Sequence, residues 1–232
     1  MEGKVSRILD LGYAVNDRLP RWPGDERVFE AATNATVERD GYFTRSFWML
    51  EHYGTHFDAP VHFPPGTLTV EQIPAERLVG PAVVIDVREE ASRDADYALP
   101  AEHVLSWEAM HGRIPSGAIA VLRTGWSARW PDEARYRNLD AAGNMRTPGF
   151  GADAARLLIE RGVSGLGIDT MSVDVGATRD FPVHTLTAAA GVYHVENLAD
   201  LSHLPESGAQ LVVAPIKLEG GSGGPCRVFA IL

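Results

Sequence analysis

The sequence predicts a mixed α/β fold, built as a single domain around buried strands. Two continuous apolar runs, residues 82–87 and 118–122, have the composition of strands that are buried on both faces. Two segments with helical patterns, residues 102–111 and 153–161, alternate with such strands along the chain. This alternation, with no internal repeat and no linker, predicts one domain over residues 1–232.

The other elements follow from turn residues and apolar periodicity. Gly162 ends the second helix, and Gly191 ends a short helix predicted over residues 185–190. Residues 20–25 form a loop rich in Pro and Gly. Further strands are predicted at residues 5–11, 163–168, 192–195 and 211–216, and on both sides of a break at Asp40-Gly41 within residues 28–50.

Residues 130–151 are rich in Arg, Asp and Gly and show little periodicity. A segment of this kind is either an ordered loop over the functional site or a surface excursion. Its composition favours the surface.

Composition limits the partners of the chain. Its 232 residues carry a net charge of −10 and no basic cluster, which argues against nucleic acid or an anionic membrane as the main partner. No apolar run approaches the about 20 residues that cross a bilayer, and the N-terminus lacks the apolar core of a signal peptide. Cys226 is the single cysteine, which excludes an internal disulfide, predicts a cytoplasmic location and favours a structural role over a nucleophilic one.

The most informative segment is residues 51–63, which contain three of the eight histidines and one aspartate. His52, His56, Asp58 and His62 are of residue types that bind Zn²⁺, Mn²⁺ and Fe²⁺. A three-ligand set leaves one histidine over, and a histidine beside a metal is suited to proton transfer. The segment therefore predicts a catalytic metal site.

The spacing of these residues predicts a bend. In a straight strand, residues four apart lie roughly 13 Å apart, so His52 and His56 would not converge easily on one ion. One helical turn would bring them together, but Pro60 argues against a helix that continues to His62. Gly54 gives the backbone freedom to bend, and a bent, partly buried loop fits best.

These residues carry a resemblance to a known family. The segment from His52 to His62 matches the pattern His-x-Gly-(Thr/Ala)-His-x-Asp-x-Pro-x-His and so resembles the signature of the cyclase family of metal-dependent hydrolases. That family includes bacterial kynurenine formamidase and isatin hydrolase. The resemblance implies a single cyclase-like domain with a swivelling β/β/α-type core.

Further segments extend the resemblance over most of the chain. Residues 21–25 are similar to the family's Trp-Pro-Gly-Asp segment, and residues 167–174 to its Gly-Ile-Asp-Thr-x-Ser-x-Asp segment. His184 and Glu196, twelve apart, match a His and a Glu of the formamidase branch. Residues 215–225 resemble a Gly-rich segment of many members.

The resemblance assigns roles to the matching residues. His52, His56 and Asp58 would hold a first metal, leaving positions for water and for the substrate carbonyl. Such a metal lowers the pKa of bound water to about 7 and polarises a carbonyl. His62 would act as general base on the water and then as general acid toward the leaving amine.

A second metal is implied by His184 and Glu196, with Asp58 bridging. The same pair could instead orient the ligands of the first metal. The ligand set contains His and carboxylates without Cys, which admits Zn²⁺ or Mn²⁺, one or two ions per subunit.

Other polar residues have weaker patterns. Trp22 is predicted to line the substrate site, as its counterpart does in the family, or else to anchor a Pro-rich loop. Lys217 faces the site or is an ordinary exposed charge. Four residues after a buried strand support the site or cap the next turn: Asp169, Thr170, Ser172 and Asp174. Four histidines without motif context are predicted to be structural or exposed: His103, His111, His194 and His203.

The resemblance implies hydrolysis of a non-peptide amide C–N bond in a small aromatic carbonyl compound, and the formamidase branch points to N-formyl-L-kynurenine. Tyr53, Thr55 and the Gly residues around Ser222 depart from that branch. They leave open a ring-opening cyclic amidase such as isatin hydrolase, or a metal-dependent cyclase or lyase of polyketide-like metabolism. A binding protein without turnover is a further alternative. Family members form dimers or higher assemblies, often with exchanged N-terminal segments, so at least a homodimer is expected.

Overall fold

The computed structural model describes residues 7–232, which contain strands and α-helices that alternate through the middle of the chain. The strands are β1 (Ile8–Asp10), β2 (Phe29–Ala35), β3 (Thr44–Met49), β4 (His56–Asp58), β5 (Val79–Asp86), β6 (Ala98–Leu99), β7 (Ile119–Arg123), β8 (Gly149–Phe150), β9 (Gly165–Ile168), β10 (Tyr193–Glu196), β11 (Gln210–Pro215) and β12 (Gly223–Ile231). The α-helices are α1 (Val37–Asp40), α2 (Arg88–Arg93), α3 (Ala101–His111), α4 (Glu133–Arg137), α5 (Ala152–Glu160) and α6 (Pro182–Ala189). The mixed α/β class predicted from the sequence is confirmed.

One sheet organises the fold and closes on itself. Its strand order is β1-β12-β11-β5-β7-β9-β10-β4, and β4 also pairs with β12. Strands β5, β7, β9 and β10 are parallel neighbours, and the remaining pairings in this sheet are antiparallel. Closure places the three-residue strand β4 between β10 and β12, so three segments that are far apart in sequence meet there.

The closed sheet has an apolar core on each face, because its central strands β5 and β7 carry continuous apolar runs whose side chains point to both faces. Val83 and Leu122 face a core that α3 and α5 cover, whereas Val84 and Val121 point to the opposite core with the side chains of β10, β11 and β12. At about 25 cal/mol per Å² of apolar area, burial on both faces is the main stabilising contribution of these strands.

The predicted helices and strands agree with the structure apart from their ends. Gly162 adopts a left-handed φ of 72° after α5, as expected of a residue that ends a helix. Gly41, with φ of 77°, marks the predicted break between β2 and β3, which form a hairpin. The predicted first strand corresponds to β1, and residues 5–6 of that prediction lie outside the described residues.

Residues 130–151 differ from the prediction of a surface excursion. They contain α4 and β8, and Trp130, Tyr136 and Met145 are buried in a third apolar cluster. The Tyr136 hydroxyl donates to the side-chain oxygen of Asn197, 2.9 Å away. Sequence periodicity misses the segment because a few buried side chains, separated by polar turns, hold it in place.

Within residues 7–232, no helix is both long enough and apolar enough to cross a membrane.

The short strands β4, β6 and β8, which have two or three residues each, were not predicted separately from the sequence. Strands of this length carry too few residues to show a period of two.

Replacing Gly165 by alanine tests the close packing between β9 and β10. A Cβ at this position would lie 2.2 Å from the ring of the fully buried Tyr193, its partner in the parallel register. We expect Gly165→Ala to lower the free energy of unfolding by about 1–3 kcal/mol through overpacking, measured by urea denaturation. The control Gly12→Ala, whose Cβ would meet no atom closer than 3.6 Å, should change it by less than about 0.5 kcal/mol. Equal midpoints for the two variants would contradict this packing.

Candidate metal centre and its cavity

A left-handed turn at Gly54 shapes the histidine-rich segment. Gly54 has φ of 69°, and the chain bends there between His52 and β4, as the spacing predicts. The bend is fixed from outside, because the Asn197 side-chain amide donates to the Gly54 carbonyl at 2.9 Å. After β4 the chain enters a short 3₁₀ turn, Pro60–His62, which starts at a proline.

The bend brings together the three residues predicted to hold the first metal. His52 Nδ1 lies 2.6 Å and His56 Nε2 3.2 Å from the same oxygen of Asp58. His56 Nδ1 faces the Gly54 carbonyl at 3.0 Å, so that nitrogen carries the proton and donates. One ligand atom from each of His52, His56 and Asp58 lies within 4.8 Å of the others, as one shared ion requires.

The second predicted pair also converges on Asp58. His184 Nε2 lies 3.4 Å from the other Asp58 oxygen and 3.4 Å from Glu196. Glu196 stands opposite His56 in the antiparallel pairing of β10 with β4, and its second oxygen is 3.5 Å from His56 Nε2. Burial alone would lower the pKa of His56, but the carboxylates of Asp58 and Glu196 raise it to about 9. The site is therefore strongly attractive to cations.

Asp174 combines the two roles that the sequence left open. Its carboxylate accepts backbone N–H bonds from Val183 and His184 at the start of α6, and a 2.7 Å bond from His184 Nδ1. It thereby caps the helix and directs His184 Nε2 toward Asp58. Asp169 instead accepts bonds from the Thr124 backbone N–H and hydroxyl, and so supports the end of β7.

His194 belongs to the site, against the prediction that it has only a structural or exposed role. It is buried opposite Asp58 in the β10–β4 pairing, and His194, Asp58 and His184 form a second group of potential ligands. The Thr187 hydroxyl donates to the Val183 carbonyl, so it accepts from His194 Nε2 at 2.6 Å. The alternation of a strand, which puts His194 on the same face as Glu196, is the signal that could have found it.

Two buried atoms show that these residues fit a cation. Among residues 7–232, neither Asp58 Oδ2 nor His194 Nδ1 has a hydrogen-bond partner, and they lie 3.7 Å apart. Two buried acceptors that face each other are costly unless a proton or a metal ion satisfies both. A divalent ion at Asp58 meets this need with the imidazole and carboxylate ligands that Zn²⁺ and Mn²⁺ use.

His62 lies beside the ligands at the edge of a cavity. Its ring stacks on His52 with centroids 3.8 Å apart. Burial, aided by the neighbouring histidines, lowers the pKa of His62 to about 4, so its imidazole is neutral at neutral pH. A neutral imidazole can accept a proton, as the predicted general base must.

The cavity has a volume of about 530 Å³, which suits a small aromatic molecule. Trp22 lines the cavity, and its ring centroid lies 6.2 Å from that of Phe181, which in turn lies 5.4 Å from the ring centroid of Phe63. Phe181 adopts a left-handed φ of 45°, a costly conformation for a bulky residue that is common at functional sites. The cavity thus combines an aromatic wall with the histidine and carboxylate cluster.

The remaining candidates lie elsewhere. His103 contacts Tyr97, and His111 pairs with Glu206, outside the residues that line the cavity. His203 and Lys217 are exposed. Cys226 lies in β12, where burial raises the pKa of its thiol and leaves it a poor nucleophile.

Comparison with known proteins agrees with this geometry. The Cyclase family model (Putative cyclase) matches residues 9–175. The isatin hydrolase of Roseibium aggregatum is 37% identical over 205 residues, which cover 84% of this chain and 78% of that protein. The kynurenine formamidase of Salinibacter ruber is 27% identical over 223 residues, covering 95% of each chain.

Comparison with solved structures supports the same family on the basis of the fold. The crystal structure of an isatin hydrolase bound to the product analogue thioisatinate matches with a TM-score of 0.92 at 30% identity, covering 98% of this chain and 92% of that one. The chain therefore belongs to the cyclase family, as its sequence motifs predict, and is a metal-dependent hydrolase.

Proposed function

We propose that the protein hydrolyses the amide C–N bond of a small aromatic carbonyl compound with a divalent ion held by His52, His56 and Asp58. One observation carries the proposal: these three residues gather their ligand atoms next to an aromatic-walled cavity, which His52 and His56 line beside the neutral imidazole of His62. When bound, the ion supplies a Lewis acid for the carbonyl and lowers the pKa of water. The absence of thiol ligands favours Zn²⁺ or Mn²⁺.

His184 and Glu196 are proposed to hold a second ion together with Asp58. Each of them lies within 3.5 Å of another member of the cluster. Asp58 directs one carboxylate oxygen to His52 and His56 and the other to His184. His194 is a further potential ligand on the side of His184. Two ions are favoured because two carboxylates and four histidines converge here, more than one tetrahedral ion needs.

His62 is proposed to be the general acid and base. Its neutral imidazole takes one proton from the attacking water and returns it to the leaving nitrogen, so the residue ends the cycle unchanged. Its position supports this role, because the neutral imidazole lines the cavity and stacks on the proposed ligand His52.

The aromatic wall is proposed to bind the planar ring of the substrate. Trp22, Phe63 and Phe181 offer the faces and edges that stack on an aromatic ring. Arg21 and Asp25 also line the cavity and add charges beside the aromatic wall. Stacking on the aromatic wall positions the substrate ring, so that the amide carbonyl of the substrate points to the histidine cluster.

Two substrates satisfy this description. A ring-opening cyclic amide such as isatin is supported by the isatin hydrolase of Roseibium aggregatum, which is 37% identical to this chain. N-formyl-L-kynurenine is supported by the kynurenine formamidases, whose similarity covers 95–97% of this chain, and by the His184–Glu196 pair. Both substrates present an amide carbonyl next to an aromatic ring, so one site can be tested with both.

We also propose that residues 1–232 act as one domain and that this domain pairs with a second copy in the cytoplasm. The β2–β3 hairpin supports the pairing: Phe43 and Phe47 are 62% and 61% exposed, and Trp48 is 39% exposed. An isolated two-stranded hairpin is marginally stable, and exposed aromatic clusters mark interfaces. The single Cys226 supports the cytoplasmic location.

Removing the metal tests the reaction class. Protein treated with a chelator should lose turnover of isatin and N-formyl-kynurenine, and reloading with Zn²⁺ or Mn²⁺ should restore cleavage of at least one. The metal content of the reloaded protein is measured at the same time, and two ions per chain are expected. Full turnover by the metal-free protein would refute the metal-dependent mechanism, whereas one ion per chain would leave His184 and Glu196 as residues that orient the first ion.

His62→Ala tests the proton transfer. We expect kcat to fall by about 10²–10⁴-fold, because the attacking water and the leaving nitrogen lose their proton acceptor and donor. Metal content should stay at the wild-type value, since His62 is not a proposed ligand. The matched control is His103→Ala, a histidine outside the cavity, which should keep wild-type kcat. Wild-type turnover by His62→Ala would remove His62 from the mechanism.

The hairpin interface predicts the mass in solution. Light scattering after gel filtration should give at least twice the 25.2 kDa of one chain. Phe47→Glu places a charge in the exposed aromatic cluster and should shift the protein toward the single-chain mass. The control Met110→Glu changes a residue of α3 that is 70% exposed and lies outside the hairpin. A wild-type protein that runs as a single chain would disprove the pairing.

A further inference from the structure

The Gly-rich segment near the C-terminus reaches the metal centre, although the proposed chemistry gives it no role. Gly223, the first residue of β12, pairs with Asp58 in β4. Ser222, the residue before it, accepts the Ala59 backbone N–H with its own carbonyl at 2.9 Å. The segment therefore lies directly against the end of β4 that carries the aspartate ligand.

Glu51 binds this segment through one carboxylate oxygen. Its Oε2 accepts the Ser222 backbone N–H at 2.9 Å, the Ser222 hydroxyl at 2.7 Å and the Gly223 N–H at 3.2 Å. Three donors on one oxygen leave the Ser222 hydroxyl hydrogen committed to Glu51, because a carboxylate accepts and does not donate.

The committed hydroxyl fixes the hydrogen-bond polarity of His52. His52 Nε2 lies 2.9 Å from the Ser222 hydroxyl oxygen, which is free only to accept. The ring therefore donates through Nε2, and Nδ1, 2.6 Å from Asp58, is the nitrogen presented to the ion. A metal-binding histidine needs this arrangement, with one nitrogen toward the ion and the other donating to a partner.

The same arrangement recurs at the other three histidines of the cluster. In each case one ring nitrogen faces the carboxylates and the other bonds to a fixed group. These fixed groups are the Gly54 carbonyl for His56, the Asp174 carboxylate for His184 and the Thr187 hydroxyl for His194. Ser222, held by Glu51, occupies the fourth such position.

Packing also fixes the His52 ring against this segment. A Cβ added to Gly223 would lie 2.3 Å from His52 Cε1 and 2.8 Å from His52 Nδ1, so the ring rests on the bare backbone. His62 stacks on the ring with centroids 3.8 Å apart. With contacts from Gly223, His62 and Ser222, the ring has little freedom to turn.

We propose that Glu51 and Ser222 are positioning residues for the metal centre: Glu51 orients the Ser222 hydroxyl, which sets the tautomer and the orientation of His52. The inference rests on the proposed metal site at His52, His56 and Asp58. It assigns a role to the Gly-rich segment, whose glycine lets His52 pack closely and whose serine completes the support of the ligand.

A titration of metal-free protein with Mn²⁺ or Zn²⁺ tests this role without measuring turnover. Ser222→Ala removes the acceptor of His52 Nε2 and should weaken ion binding by about 10–100-fold. Ser222→Thr keeps a hydroxyl and should restore binding close to wild type. The matched control Ser207→Ala removes an exposed hydroxyl that contacts His111 at 3.4 Å, outside the cavity, and should leave ion binding unchanged.

Glu51 is tested through its dependence on Ser222. Glu51→Gln should weaken ion binding less than Ser222→Ala does, and the double variant should bind no more weakly than Ser222→Ala alone, since Glu51 acts through the serine. The thermal midpoint of each metal-free variant is measured in parallel, so that a loss of fold is distinguished from a loss of ligand orientation. If Ser222→Ala does not fold, Glu51→Gln and Ser222→Thr still test whether Glu51 and the Ser222 hydroxyl position His52.

The outcomes separate this inference from the proposed function. Wild-type ion affinity in Ser222→Ala, with ion binding intact in the wild-type protein, would overturn the positioning role alone. Equal weakening by Ser222→Ala and Ser222→Thr would also overturn it, because the hydroxyl would then be irrelevant. No ion binding by the wild-type protein would refute the proposed metal site and this inference with it.

Discussion

The buried carboxylate of Asp58 is the charge around which the site is organised. Transferring an ionised carboxylate out of water costs several kcal/mol, and a protein recovers this only through close positive partners. Burial opposes ionisation of Asp58, yet the surrounding histidines hold its pKa well below the usual range. In turn, Asp174, Asp58 and Glu196 outweigh burial and raise the pKa of His184 well above its usual value. Protons on these histidines and a metal ion would neutralise the same carboxylates, so the two compete for the cluster.

The rigidity of this cluster comes from the strands that carry it. His56 and Asp58 belong to β4, which has strand partners on both sides, and His194 and Glu196 belong to the adjacent β10. Register alone therefore sets the separation of these ligand atoms. The side chains need only small corrections, which the bonds to the outer ring nitrogens supply. A site built in this way is more precise than one assembled from loops.

The sequence predicts the parts of the site that are local, and fails where the contacts are distant. The turn at Gly54 and the run from His52 to His62 are visible because their spacing constrains them directly. Buried strands such as β5 and β7 are visible because each contains a continuous apolar run, residues 82–85 and 119–122. The convergence of β4, β10 and β12 is invisible, since it depends on closure of the whole sheet, and only family resemblance linked Glu196 to Asp58.

Single residues without a motif were missed for a related reason. His194 looks like any core histidine until β10 is paired with β4, and Tyr136 looks like part of a surface segment until its hydroxyl meets Asn197. Both side chains meet a functional partner that is distant in the chain: Asn197 lies 61 residues from Tyr136, and the Asp58 that faces His194 belongs to β4. Residue propensity and apolar periodicity are evaluated over short windows of sequence, so roles that depend on distant partners are found only from the structure.

The position of β4 couples ion binding to the integrity of the fold. This strand is three residues long, completes the ring between β10 and β12, and carries two of the proposed ligands. An ion held there joins the ring at its shortest strand, and binding to the folded chain alone stabilises that chain by mass action. Each tenfold rise in free ion above the dissociation constant then adds about 1.4 kcal/mol to the free energy of unfolding. Metal availability in the cell would thus govern how long the folded enzyme persists, as well as how fast it works.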